Sequence, residues 1–273
     1  MEQFANPRAR AQSPPAWEYV LGRIGLTAKG VAWGLVGVLA IGIATGVGGA
    51  ATSRQGALHA LAANTFGAVV LILLAIGFAA YAAWRVLQTV TVHESDAKKA
   101  WGSRAGYLAS AAIYAAFVYT AAKLVAESGG GQSQDQKAHH VAAVVLSWPG
   151  GPVLVGIAGA ALVLTGLWNL YRGVSGTFEE KWRADISASA RRWGRRAGAV
   201  GHIARFVVFG LIGIFVIEAA ANYNPNDAVG LDGALQRLSH KSFGPSLLGL
   251  TAAGLIAYAA FCLFDAFNRD LTR

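Results

Sequence analysis

The chain is poor in the residues on which much cofactor and redox chemistry rests. It holds one cysteine and one methionine in 273 residues. A single cysteine excludes a disulfide framework and any cysteine-rich zinc or iron–sulfur site. Charge is scarce as well: 14% of residues are Asp, Glu, Lys or Arg, where an ordinary soluble domain carries roughly 25%. Acids are the scarcer sign, 14 against 23 bases, which leaves a formal charge of +9. No phosphate-binding loop, zinc-protease helix, nucleophile elbow or dinucleotide fingerprint occurs. These absences lead us to expect a non-enzymatic protein with no cofactor and no metal.

What the chain has instead is long apolar runs. Hydrophobic residues make up 55% of it, and they gather in six stretches, roughly Gly25–Val47, Phe66–Leu87, Ala105–Val125, Gly151–Leu170, Gly201–Ala221 and Phe243–Phe267. Each is about as long as a helix must be to cross a hydrocarbon core of roughly 30 Å. They are apolar around their whole circumference and rich in Gly and Ala, as packed membrane helices are. The alternation of a membrane β-barrel is missing. The expected fold is an all-α integral membrane protein with six transmembrane helices.

The first 22 residues carry three prolines and no cleavable apolar core, so they are expected to form a disordered cytosolic tail rather than a signal peptide. Lysine and arginine placement sets orientation. If the N-terminus, the second and fourth loops and the C-terminus share one side, that side holds 18 of the 23 bases. The sequence therefore predicts a multi-pass protein of the bacterial plasma (inner) membrane with both termini cytoplasmic. The +9 excess falls on the inner side, and records orientation before it says anything about an acidic partner.

The helices repeat. Gly25-Leu-Thr-Ala-Lys29 opens the first run and Gly201-His-Ile-Ala-Arg205 the fifth; Trp33-Gly34 is matched by Phe209-Gly210. Gly56-Ala-Leu precedes the second run and Gly233-Ala-Leu the sixth, and Gly77, Tyr81 and Trp84 match Gly254, Tyr258 and Phe261. The middle pair is more diverged, with Gly106 opening the third helix and Trp168 matching Trp84. These residues resemble the bacterial membrane family of tandem two-helix repeats called domain of unknown function 1206. The resemblance implies an inner-membrane protein built of three parallel two-helix repeats and carries no activity. The expected units are a tail at 1–22, repeats at 23–90, 104–173 and 199–270, and a basic amphipathic cytosolic linker at 174–198. Six helices in three parallel hairpins also resemble mitochondrial carriers in outline, but no odd helix here contains the proline of the carrier signature.

Three groups of residues are candidates for function. The first is charge at matching depths of the repeats. Lys123 and Glu218 stand at one equivalent outer position and form a candidate intramembrane ion pair. At the inner end, Lys29, Arg85, Arg172, Arg205 and Asp265 form a candidate charge layer, for a pathway along the pseudo-threefold axis or for fixing helix register. The second is the fourth loop, where Phe178, Trp182, Ile186 and Trp193 recur at nearly helical spacing among bases. An amphipathic helix in the inner interface is expected, with Trp182 and Trp193 at headgroup depth. There Arg191, Arg192, Arg195 and Arg196 would contact anionic lipid headgroups or a partner; a cluster this close to the membrane does not call for nucleic acid. The third is histidine. His59, His139, His140 and His240 fall in short outer-surface helices expected at Gln55–Asn64, Gln136–Ser147 and Leu231–Phe243. Adjacent His139 and His140 point about 100° apart on a helix and cannot share a metal.

Two functions follow as expectations. The leading one is a scaffold or accessory subunit of a membrane assembly, working through a membrane protein partner or a homo-oligomer. The alternative is a small-solute or ion permease using the pseudo-threefold axis.

Overall fold

The computed structural model describes residues 16–45, 65–91, 97–126, 134–240 and 243–270. Nearly all of these are helical, and the one β-type contact among them is an isolated bridge between Trp182 and Arg269. The elements are α1 (Ala16–Thr45), α2 (Thr65–Thr91), α3 (Ala97–Ala126), α4 (Gln134–Leu146), α5 (Gly151–Ser175), a 3-10 turn over Thr177–Lys181, α6 (Ala188–Ala221), a second 3-10 turn over Pro225–Asp227, α7 (Leu231–Ser239) and α8 (Gly244–Asn268). Six of them, α1, α2, α3, α5, α6 and α8, are long and apolar enough to cross a membrane. They are the six expected helices, and α4 and α7 are the short helices inside the second and third hairpins. The short helix expected at Gln55–Asn64 lies outside the described residues.

Local sequence explains where these helices start and stop. Both α5 and α8 open with proline in the first turn, where its missing N–H costs nothing. Gly176 ends α5 at φ 72° and returns its N–H to the Arg172 carbonyl at 3.0 Å, a left-handed cap that suits glycine. Ser187 caps α6 by accepting from the Ala190 N–H at 3.3 Å.

Small residues set the packing, and they do so twice in the same way. In the first repeat a Cβ on Gly25 would come within 2.5 Å of Tyr81, and one on Gly77 within 2.2 Å of Ala28. In the third, Gly201 meets Tyr258 and Gly254 meets Ala204, each at 2.5 Å. Contacts between repeats recur likewise. A Cβ on Gly37 of α1 would meet Ile256 and the Ala252 carbonyl on α8; one on Gly213 of α6 would meet the equivalent Val163 and Gly159 carbonyl on α5. Such approach of backbones is the usual basis of membrane helix association.

The close packings link the six helices in the order α5, α6, α8, α1, α2, α3. The two ends of that series, α3 and α5, belong to the same repeat, and among the described residues they are not closely packed on each other. Between the two ends of the bundle lies an apolar layer of Ala40, Val208, Leu248, Ala252 and Leu255, against which Trp33 and Ile212 pack.

Candidate functional site

The charge layer is where repeat-equivalent residues meet. Lys29 on α1 sits between two tyrosines of flanking helices, its Nζ 5.8 Å from the Tyr81 ring on α2 and 5.6 Å from the Tyr258 ring on α8. Arg205, its counterpart on α6, lies over the same Tyr258 at 4.6 Å and donates from Nη1 to the Tyr258 hydroxyl at 2.6 Å. The Arg205 guanidinium also faces Trp33 and Phe209, each at 5.2 Å. On the other side Arg85 lies 4.9 Å from Tyr81 and donates from Nε to its hydroxyl at 3.0 Å. Two tyrosines thus interleave three cations, in the order Arg85, Tyr81, Lys29, Tyr258, Arg205. Contact with a π face recovers part of the hydration these cations lose, and more of it where water is excluded.

Asp265, the acid expected in this layer, is turned elsewhere. Its Oδ1 accepts from the Trp182 indole N–H at 3.0 Å and its Oδ2 faces Arg269 Nε at 3.4 Å, with both side chains almost fully buried. Arg172 lies within electrostatic reach of Arg205, Arg269 and Asp265. The layer is therefore strongly positive, and its potential reaches Lys181 on the linker. Although the Lys181 side chain still reaches solvent, desolvation, then Arg269, Arg85 and Arg172 push its ammonium down to about 8.

Beside the layer is a polar contact that sequence reading passed over. His202 is fully buried, and its Nδ1 lies 3.0 Å from Asn169 Oδ1. Asn169 donates from Nδ2 to the Thr165 carbonyl at 2.7 Å, which turns its oxygen toward the histidine. Nδ1 of the ring is then the donor in this contact. Phe178 stacks on the ring at 5.3 Å. The sequence singled out the charges; the tyrosines that hold them were visible only as a repeat signature, and Arg269 as a terminal base.

The fourth loop differs from its expected form. Residues 174–198 do not make an amphipathic interfacial helix. They form the end of α5, a 3-10 turn, an extended stretch and the first turns of a 34-residue α6. Trp182, expected to face lipid headgroups, is buried inside the protein against Phe178, Phe261 and Phe264. The reason is Asp265: an indole N–H that finds a buried carboxylate gains more inside than in the interface. Arg191 and Arg195 clamp this segment by facing Glu179, at 3.9 and 3.1 Å. Trp193, Arg192 and Arg196 project outward and are exposed.

At the opposite end, 13 residues and about 20 Å further along α6 at 1.5 Å per residue, Glu218 lines an open cavity of about 620 Å³ with His139, Phe215, Gln236, Arg237 and His240. Its expected partner Lys123 falls on α3, but the Lys123 side chain lies outside the described residues, as does His59. His140 is exposed. No cluster of three metal-ligating side chains occurs among the described residues.

Comparison with known proteins places this architecture. The family model for domain of unknown function 1206 matches three times, at 24–92, 105–176 and 200–269. The uncharacterized protein YxxB of Bacillus subtilis (strain 168) is 31% identical over 266 residues, covering 96% of this chain and 94% of that protein. No solved structure matches. With its repeats accounting for most of its length, the chain belongs to the family of domain of unknown function 1206.

Proposed function

We propose that this protein is a non-enzymatic scaffold or accessory subunit of a bacterial plasma-membrane assembly, with both termini in the cytoplasm. The observation that carries this reading is the unclosed middle repeat. Nothing lies within 4 Å of a Cβ built on Gly102 or Gly106 of α3, whereas the glycines equivalent to Gly106 in the other repeats are filled by tyrosine. A glycine-bearing helix face left open inside a bilayer suits close approach by a helix of another membrane protein. The packed apolar layer between the two ends of the bundle also favours a scaffold over an open pore. Exposed Trp193, Arg192 and Arg196 add a basic surface for anionic headgroups. The test is purification from native membrane in mild detergent. A partner membrane protein co-purifies with the natural chain and is lost with Gly106→Trp, which keeps the fold because the site is open. Recovery of the natural chain only as an isolated monomer overturns the reading.

The charge layer and the far cavity favour a second reading, a small-solute permease along the repeat axis. Cysteines placed at Trp33, Tyr114 and Phe209 then react with aqueous thiol reagents; inertness at all three from both sides refutes conduction.

A further inference from the structure

Lys29, Arg85 and Arg205 share two tyrosine rings, and two cations on one ring cannot be far apart. Like charges so placed repel, and the repulsion is poorly screened among apolar helices. They do not snorkel outward: Lys29 contacts rings from the helices on both sides of α1, and Arg205 reaches back across Trp33 of α1 and Tyr258 of α8. The acid at this depth, Asp265, is already engaged with Trp182 and Arg269. Among the described residues no carboxylate faces Lys29, Arg85 or Arg205 in an ion pair, and the buried Arg205 Nε has no hydrogen-bond partner. The described contacts of the Lys29 ammonium are π faces, which accept none of its three N–H bonds in the manner of an oxygen. Lys29, Arg85 and Arg205 are half-buried rather than sealed, so the group that neutralises them can enter from the basic end.

We infer that this layer is a binding site for a phosphate-type oxyanion, held by the Lys29 ammonium and the free edge of the Arg205 guanidinium, with Arg85, whose nitrogens donate to Tyr81 and Gln88, adding positive potential from the far side of Tyr81. Guanidinium forks match the oxygens of a tetrahedral oxyanion, and a compact ammonium beside them supplies a point charge. A divalent anion fits better than a monovalent carboxylate, because Lys29 and Arg205 both flank Tyr258 and one negative charge leaves one of them unopposed. The same chemistry is offered by free inorganic phosphate, by a phosphorylated solute and by a phospholipid headgroup drawn inward from the bilayer.

The full-length protein in nanodiscs of zwitterionic lipid distinguishes these sources by thermal unfolding with added inorganic phosphate. The expected result is a saturable rise in midpoint that chloride at equal ionic strength does not reproduce. Lys29→Gln and Arg205→Gln each weaken apparent affinity by roughly tenfold or more, while exposed Arg23→Gln leaves it unchanged. If the rise disappears in discs containing phosphatidylglycerol, the lipid headgroup occupies the site; if it persists, a free phosphate does. Absence of any rise in zwitterionic discs, with no midpoint difference between the two disc compositions, overturns the inference. So does an equal response of the natural chain and a correctly folded Lys29→Gln. Should Arg205→Gln fail to fold, Arg205→Lys keeps the charge and loses the fork, and is expected to lie between the natural chain and Lys29→Gln.

Discussion

Helices α6 and α8 of the third repeat press Gly201 against Tyr258 and Gly254 against Ala204. The corresponding positions of the middle repeat are Gly106, Thr165, Ala161 and Ala109, and its helices α3 and α5 are not closely packed together. One glycine of the motif survives; the tyrosine that fills it and the glycine that admits the opposing helix do not. The difference teaches that this closure is cooperative between two contacts. A notch without its ring leaves open helix surface, and in a bilayer an open surface is covered by lipid or by another helix. The cations follow the same division, since Lys29 and Arg205 have rings to rest on and their middle-repeat equivalent is the neutral Ser110.

The strongest way to break the comparison is to remove the ring. Tyr258 is 2% exposed, touches Trp33, His202 and Phe261 and accepts from Arg205. Tyr258→Ala is expected to cost about 3–5 kcal/mol, as large aromatic truncations in packed cores do. Thr165→Ala at the equivalent middle-repeat position is expected to cost less than about 1 kcal/mol. Denaturant unfolding of the two variants in the same detergent checks the pair; equal losses would mean that the middle repeat is closed as tightly as the third.

A change of sign sharpens it further. Adding one methyl at Gly201 drives it into the Tyr258 backbone, and Gly201→Ala is expected to destabilise by about 1–3 kcal/mol. At Gly106 the methyl meets nothing, so Gly106→Ala gains helix propensity and is expected to stabilise by about 0.5–1 kcal/mol. Thermal midpoints that move in opposite directions support the contrast, and midpoints that fall together refute it.

Much of this was legible from residues alone, and the reason is periodicity. Six helices, their repeat and the equivalence of Lys29 with Arg205 all follow from spacing, which a helix converts directly into depth. The spacing also put Trp182 and Trp193 on one helix face, and there it misled. Residues 176–187 carry the glycine cap and the extended stretch that break the helix, so the two tryptophans part: Trp182 is 4% exposed and Trp193 72%. What separates them is Asp265, 83 positions away from Trp182 in sequence, and no local pattern reveals a partner at that distance. His202 and Asn169 were illegible for the same reason. Each stands as a lone polar residue among apolar neighbours in the sequence, and only the packing of α5 on α6 joins them.

The smallest effect concerns the linker that joins the middle repeat to the third. Lys181 lies where this linker turns against the positive layer, whereas its neighbours Arg183 and Asp185 pair with each other in full solvent. With an ammonium held at about 8 in the folded chain against 10.5 for an ordinary lysine, the unfolded chain binds more protons between those values. Stability contributed at this site therefore rises with pH across that window, is flat below it where both states are charged, and is flat again above it where both are neutral. The thermal midpoint of the natural chain is expected to gain on Lys181→Gln between pH 8 and 10, while Asp185→Asn leaves that slope unchanged because its pair is screened by water. A slope that survives Lys181→Gln would move the positive potential away from the linker. The engaged Asp265 carboxylate would then be neutralising more of the layer than its two contacts account for.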